Sequence, residues 1–158
     1  MFVVDTNVLI YGAVKEAPDH ARCRELLDSF RALKTPWYVT WGIVYEFMRV
    51  VTHPRVLCRP LTPEQAWSFV TALFASPRLG VLVETDRHRH VAAEVFAEVP
   101  GITGNLMFDA HTAILMRENG IRTIYTRDTD FNRFPFLDTI DPVTRHRRTS
   151  NSSRRPCR

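Results

Sequence analysis

The chain has 158 residues, 45% of them hydrophobic, which suits one domain large enough to bury a sizeable core. Met1-Phe2-Val3-Val4-Asp5 carries no basic stretch and meets an acid at once, so neither a signal peptide nor a spanning helix is expected, and a cytoplasmic protein without membrane contact is. The formal charge of +4 suggests nucleic acid until it is divided: from Asp141 to Arg158 six arginines face one aspartate, a net of +5, which leaves Met1 to Ile140 at −1.

Phe2 to Val4 reads as a short buried strand ending at Asp5. Asp19 then caps a helix with the apolar stripe Cys23, Leu26, Leu27, Phe30 and Leu33. Tyr38-Val39 is a weaker strand, followed by Thr40 as N-cap of a helix through Ile43, Phe47, Val50 and Val51. Thr62-Pro63-Glu64-Gln65 combines a capping box with proline at the first helical position. Residues 80–83 form another weak strand, residues 86–99 a helix stopped by Pro100-Gly101, and residues 106–120 a helix closed by Gly120. Thr123 to Tyr125 is a further strand. Strands alternating with helices predict a three-layer α/β/α domain with a central parallel sheet, over residues 1–143. Residues 144–158 are rich in Arg and Ser, almost without apolar side chains, and are expected to be a disordered tail.

In open parallel sheets the ligand site lies beyond the carboxyl ends of the strands. Asp5 follows the first strand, and Asp128 and Asp130 follow the strand Thr123 to Tyr125; capping a turn or a helix is the plainer use of acids so placed. Glu46 and Asp109 are harder to set aside. Glu46 stands three residues after Ile43 and four before Val50, and Asp109 three after Leu106 and four before Ala113, so each shares an apolar stripe and is expected to point inward. A buried carboxylate is costly unless paired or bound to a cation; Arg49 is the obvious pairing alternative for Glu46. Like charges ~4 Å apart repel by on the order of 4 kcal/mol at an effective dielectric of about 20, so a cluster of four acids needs a counter-charge. All-oxygen donors suit Mg²⁺ or Mn²⁺, and such a cluster suits phosphodiester hydrolysis.

Val3-Val4-Asp5-Thr6-Asn7-Val8-Leu9-Ile10-Tyr11, Val44-Tyr45-Glu46-Phe47, Phe108-Asp109-Ala110 and Tyr125-Thr126-Arg127-Asp128-Thr129-Asp130-Phe131 resemble, in order and spacing, the four acidic motifs of PIN-domain ribonucleases. The resemblance spans residues 2–140. Chain length and the loop from Thr52-His53-Pro54-Arg55 to Arg59-Pro60-Leu61 are similar to VapC-type toxins. The resemblance implies that Asp5, Glu46, Asp109 and Asp128 hold Mg²⁺ or Mn²⁺ and activate water, with Asn7, Thr126 and Asp130 in support. It further implies a hydrolase that cuts structured RNA and leaves a 5′-phosphate, a cognate antitoxin in a toxin–antitoxin system, and a homodimer. The long tail departs from the compact family pattern.

Other chemistries fit less well. Cys23, Cys58 and Cys157 are odd in number and widely spaced, which indicates neither a disulfide framework nor a zinc site. Asp5-Thr6-Asn7 has Asn where an aspartyl phosphatase loop needs a second Asp, and the only lysines are Lys15 and Lys34. Gly-rich phosphate loops and a G-x-S-x-G elbow are absent from the sequence. His88 and His90 are two apart on a helix, which favours solvent over a metal, and Trp37, Tyr38 and Trp41 read as core before they read as a stacking surface. The principal alternative is a PIN-like module that binds RNA or an antitoxin without cutting.

Overall fold

The computed structural model describes residues 1–144 and the backbone of Arg147–Arg148. Apart from Thr144 and that dipeptide, the segment expected to be a disordered tail lies outside the described residues. The strands are β1 (Phe2–Val4), β2 (Trp37–Thr40), β3 (Leu79–Leu82), β4 (Thr123–Tyr125) and β5 (Asp138–Ile140). All five run parallel in the order β3-β2-β1-β4-β5, and β6 (Arg147–Arg148) adds antiparallel to β5. The helices are α1 (Thr6–Ala13), α2 (His20–Arg31), α3 (Trp41–Val51), α4 (Pro63–Phe74), α5 (His88–Glu98) and α6 (Leu106–Glu118). A 3-10 helix covers Thr129–Arg133.

β1 is central because Phe2, Val3 and Val4 are all buried, as a strand covered on both faces requires. The chain moves one way across the sheet from β1 to β3 and the other way from β1 to β5. Right-handed crossovers therefore put α1 to α4 on one face and α5 and α6 on the other. The result is the expected three-layer α/β/α arrangement. Caps act as the sequence indicates: Thr40 Oγ1 accepts from Ile43 N at 3.1 Å, and Thr62 with Gln65 closes a reciprocal capping box. Fully buried Trp37, Phe47, Leu9, Leu115, Met116 and Ile124 fill the interior. No helix among the described residues is long and apolar enough to cross a membrane.

Three local expectations change. α2 ends at Arg31, so Leu33 falls beyond it and is exposed rather than part of the stripe. α5 starts at His88, two residues later than expected, after Thr85 Oγ1 has bonded the Arg87 amide in a turn. The aromatic group divides: Trp37 is core, whereas Trp41 is 43% exposed and packs its ring 6.0 Å from Tyr45 and 5.9 Å from Phe74.

The sheet order reverses between β1 and β4. Val4 pairs in register with Tyr125, so the residues that leave these strands, Asp5 and Thr126, emerge side by side. This is the switch point at which α/β sheets hold ligands.

Candidate active site

Asp5 is the N-cap of α1, with extended backbone and Oδ1 accepting from Thr6 N at 2.7 Å. Its Oδ2 accepts from the Thr126 hydroxyl at 2.6 Å and from Asn7 Nδ2 at 2.5 Å. The Thr126 oxygen in turn accepts from Asn7 Nδ2 at 3.0 Å and from the Asp128 amide at 2.8 Å, which uses its one proton and both lone pairs. Asn7 Oδ1 accepts from the Arg127 amide at 3.2 Å. One buried hydroxyl thus ties the end of β1 to the end of β4. Asp128 caps the 3-10 helix through the Asp130 amide at 2.9 Å, which swings Asp130 back beside it.

Removing that hydroxyl tests the knot. Thr126→Val leaves an oxygen of Asp5 and the Asp128 amide short of a partner, at a cost of about 1–3 kcal/mol. A drop in melting temperature of about 2–12 °C is expected for a chain of this size. An unchanged melting temperature would mean that the hydroxyl does not hold the two strand ends together.

Glu46 accepts from Thr6 Oγ1 at 3.0 Å and pairs with Arg49 at 3.4 Å, with 44% of its side chain exposed. It does not point into the core as its stripe suggested. Ile43 and Val50, its neighbours on that stripe, themselves line an open cleft of about 800 Å³, and Glu46 faces this cleft with them. Asp109, in the first turn of α6, is half-buried on the same cleft. Asp5, Asn7, Asp128 and Asp130 line it too, while Thr126 lies buried behind them.

The electrostatics reflect this convergence. Burial raises the Asp5 carboxyl to about 6 against the hydrogen bonds from Thr126 and Thr6, with Asp128 and Glu46 adding to the rise. Asp109 is pushed up to about 7, first by burial and then by the charges of Asp128, Asp5, Glu46 and Asp130. One carboxylate oxygen each of Asp109, Asp128 and Asp130 lie within 4.8 Å of one another, a grouping that could hold a cation. Asp130, expected only in support, is therefore a member of this group, and Asp5 and Glu46 line the same cleft.

Sequence reasoning missed Thr6, whose hydroxyl links α1 to Glu46, and the side chains of Tyr45, Phe108 and His111 that line the cleft. Nothing local in Thr6 signals a partner forty residues away. His88 also departs from its expected exposure: its Nδ1 lies 2.7 Å from Glu118 Oε2, and Thr85 gives Glu118 two further bonds. Burial works against the charge of Glu118, yet the bonds from Thr85 and His88 outweigh it and hold the carboxyl below its usual range.

The family model described as PIN domain matches residues 2–137. Among characterised relatives, Ribonuclease VapC48 of Mycobacterium tuberculosis is 33% identical over 140 residues, covering 89% of this chain and 96% of its own. Ribonuclease VapC43 of the same organism is 36% identical over 147 residues, covering 90% and 96%. Among solved structures, VapBC2 from Rickettsia felis bound to a promoter DNA fragment superimposes with a TM-score of 0.63 at 18% identity, covering 87% of this chain and 96% of that one, a likeness of fold. The four acidic motifs lie within the matched span, and the chain belongs to the PIN-domain family, in its VapC group.

Proposed function

We propose that this protein is a divalent-metal-dependent endoribonuclease and the toxin of a VapBC-like toxin–antitoxin pair. The convergence of Asp109, Asp128 and Asp130, with Asp5 and Glu46 on the same cleft, carries this reading. The names of the relatives, Ribonuclease VapC48 and VapC43, support RNA as the substrate, and the VapBC2 complex supports an antitoxin as the partner. A homodimer acting in the cytoplasm belongs to the same reading.

The donor set fits a hard cation: every candidate ligand is a carboxylate oxygen, and Asp109 is raised first by burial and then by the neighbouring carboxylates, which a bound cation would offset. Asp109, Asp128 and Asp130 would hold Mg²⁺ or Mn²⁺, with Asp5 and Glu46 within the same field. Such an ion supplies electrophilic stabilisation of the phosphate and a lowered pKa for water. The protein's own part is positional. Thr6 N, Asn7 and Thr126 fix both oxygens of Asp5, so one carboxylate keeps its orientation whether or not substrate is present. Arg49, paired with Glu46, is the single Lys or Arg side chain lining the cleft among the described residues and offers a donor to a phosphate oxygen. Asp109 carries a proton through much of the range below pH 7, so cation binding releases that proton.

The alternative, a PIN-like module that binds RNA or antitoxin without cutting, leaves this convergence of carboxylates on one cleft without a use. Expression in a bacterial host separates the two. Wild-type protein should arrest growth, Asp109→Asn should not, and a small protein encoded beside the gene should co-purify and restore growth. Arrest by both forms alike would favour the non-cutting module, and harmless expression of a protein that cuts RNA in vitro would remove the toxin reading while keeping the nuclease.

A further inference from the structure

The two most exposed large apolar side chains among the described residues are Phe108, 70% exposed, and Tyr45, 65% exposed. Both line the acidic cleft, and each immediately precedes one of its carboxylates, Asp109 on α6 and Glu46 on α3. An exposed apolar side chain needs no explanation when it stands alone. Two of them lining one cleft from two different helices, each one residue from an acid of the same site, form a pattern that core packing does not account for.

We infer that Phe108 and Tyr45 are stacking platforms for the unpaired nucleobases on either side of the scissile phosphate, and so determine which RNA segments this site accepts. The inference rests on the nuclease reading above. A phosphodiester that reaches the carboxylates carries a nucleoside on each side, and the residues preceding two of those carboxylates, Asp109 and Glu46, are exposed aromatics. The cleft supplies little else to hold RNA: it gathers five acidic side chains and a single arginine, so phosphate contacts beyond the metal are weak. Stacking on an aromatic ring is indifferent to charge and serves every base. At about 800 Å³ the cleft has the size of a small-ligand site, with room for a few unpaired nucleotides, whose bases are free to stack.

Phe108 also has polar neighbours suited to a base edge. Asn105 lies one turn before it and His111 one turn after it, and both line the cleft. His111 Nε2 lies 3.0 Å from Glu84 Oε1; that carboxylate can only accept, so Nε2 donates to it and Nδ1 is left for another partner. Neither the Asn105 amide nor His111 Nδ1 has a partner among the described residues. A base stacked on Phe108 would find both a donor and an acceptor in the Asn105 amide, with His111 Nδ1 beside it.

The test scans a short unstructured RNA oligonucleotide with an abasic nucleotide at each position and measures its cleavage with Mg²⁺. For the wild type, the abasic nucleotide next to the cut should raise KM by about tenfold, the loss of one stacked base. Phe108→Ala should raise KM on the intact oligonucleotide by the same factor, the two losses should not add, and Phe108→Trp should restore the wild-type KM. Tyr45→Ala should behave likewise toward the base on the other side. A parallel titration follows 2-aminopurine in the same positions, whose fluorescence falls on stacking, in an Asp109→Asn background in which no cleavage is needed. Loss of that quenching with Phe108→Ala shows base stacking on Phe108 independently of cleavage, so failure of the stacking and failure of the nuclease reading are told apart. Additive penalties, an unchanged KM and quench, or loss of a co-purifying protein with RNA binding intact would overturn it; the last would make Phe108 a protein contact.

Discussion

Asp109→Asn is expected to lower RNA cleavage in Mg²⁺ by at least about a hundredfold, the scale seen when a charged group at a metal or oxyanion centre is removed. The side chain keeps its shape, and no hydrogen bond to Asp109 is lost among the described residues, so the fold should survive. Metal-free protein should even gain. The folded chain holds Asp109 at about 7 against 3.8 for the free side chain, so the fold favours the neutral form. That preference contributes stability in full below pH about 4 and loses it as pH rises through about 7. Above that, the wild type keeps an unwanted charge that Asp109→Asn lacks. Because Asp109 is only half-buried and solvent screens it, the gain at pH 8 is about 1–2 kcal/mol, or about 2–8 °C in melting temperature, and it should vanish at pH 4. A variant that is inactive and also less stable than the wild type at pH 8 without metal would point to a structural role instead.

The second large effect is metal-dependent stability. An ion that binds only the folded chain stabilises it by about 2.7 kcal/mol at a hundredfold excess over Kd, which raises the melting temperature by about 5–11 °C. Wild-type protein should respond in this way to Mg²⁺ or Mn²⁺. The family resemblance puts Asp5, Glu46, Asp109 and Asp128 around the ion, whereas geometry groups Asp109, Asp128 and Asp130. Comparing Asp130→Asn with Asp5→Ala separates the two. If the geometric group binds, Asp130→Asn loses the response and Asp5→Ala keeps a part of it; the reverse result returns Asp130 to a supporting role. Equal metal shifts in the wild type and both variants would place the ion elsewhere.

β1 was legible because a central parallel strand buried on both faces reads as an unbroken apolar run, and β4 because Thr123-Ile124-Tyr125 is β-branched and aromatic throughout. β5 was not, because Asp138-Thr139-Ile140 opens on an aspartate, a poor strand former, and holds a single apolar residue. α1 escaped for the opposite reason: Val8, Leu9, Ile10 and Tyr11 follow one another without a polar face, and helical periodicity needs that contrast. At the site, position betrayed Asp5 and Asp128, since acids at strand ends of such sheets sit where ligands bind. Stripe arguments found Glu46 and Asp109 but misjudged their depth, because one stripe of a helix can run from the core onto the wall of a cleft. The closeness of Asp130 to Asp109 depends on the 3-10 turn that Asp128 caps, and the Thr6 bond to Glu46 on a contact between α1 and α3. Both are tertiary facts, invisible to local pattern.

The most direct measurement is cleavage of total RNA by the purified full-length protein, freed of any co-purifying partner, in Mg²⁺, in Mn²⁺ and in EDTA, beside Asp109→Asn purified identically. Discrete products should form with the wild type in either metal and carry 5′-phosphates, while EDTA and the variant should each leave the RNA intact. Equal cleavage in EDTA, or by Asp109→Asn in metal, would contradict a metal-dependent carboxylate nuclease at this cleft.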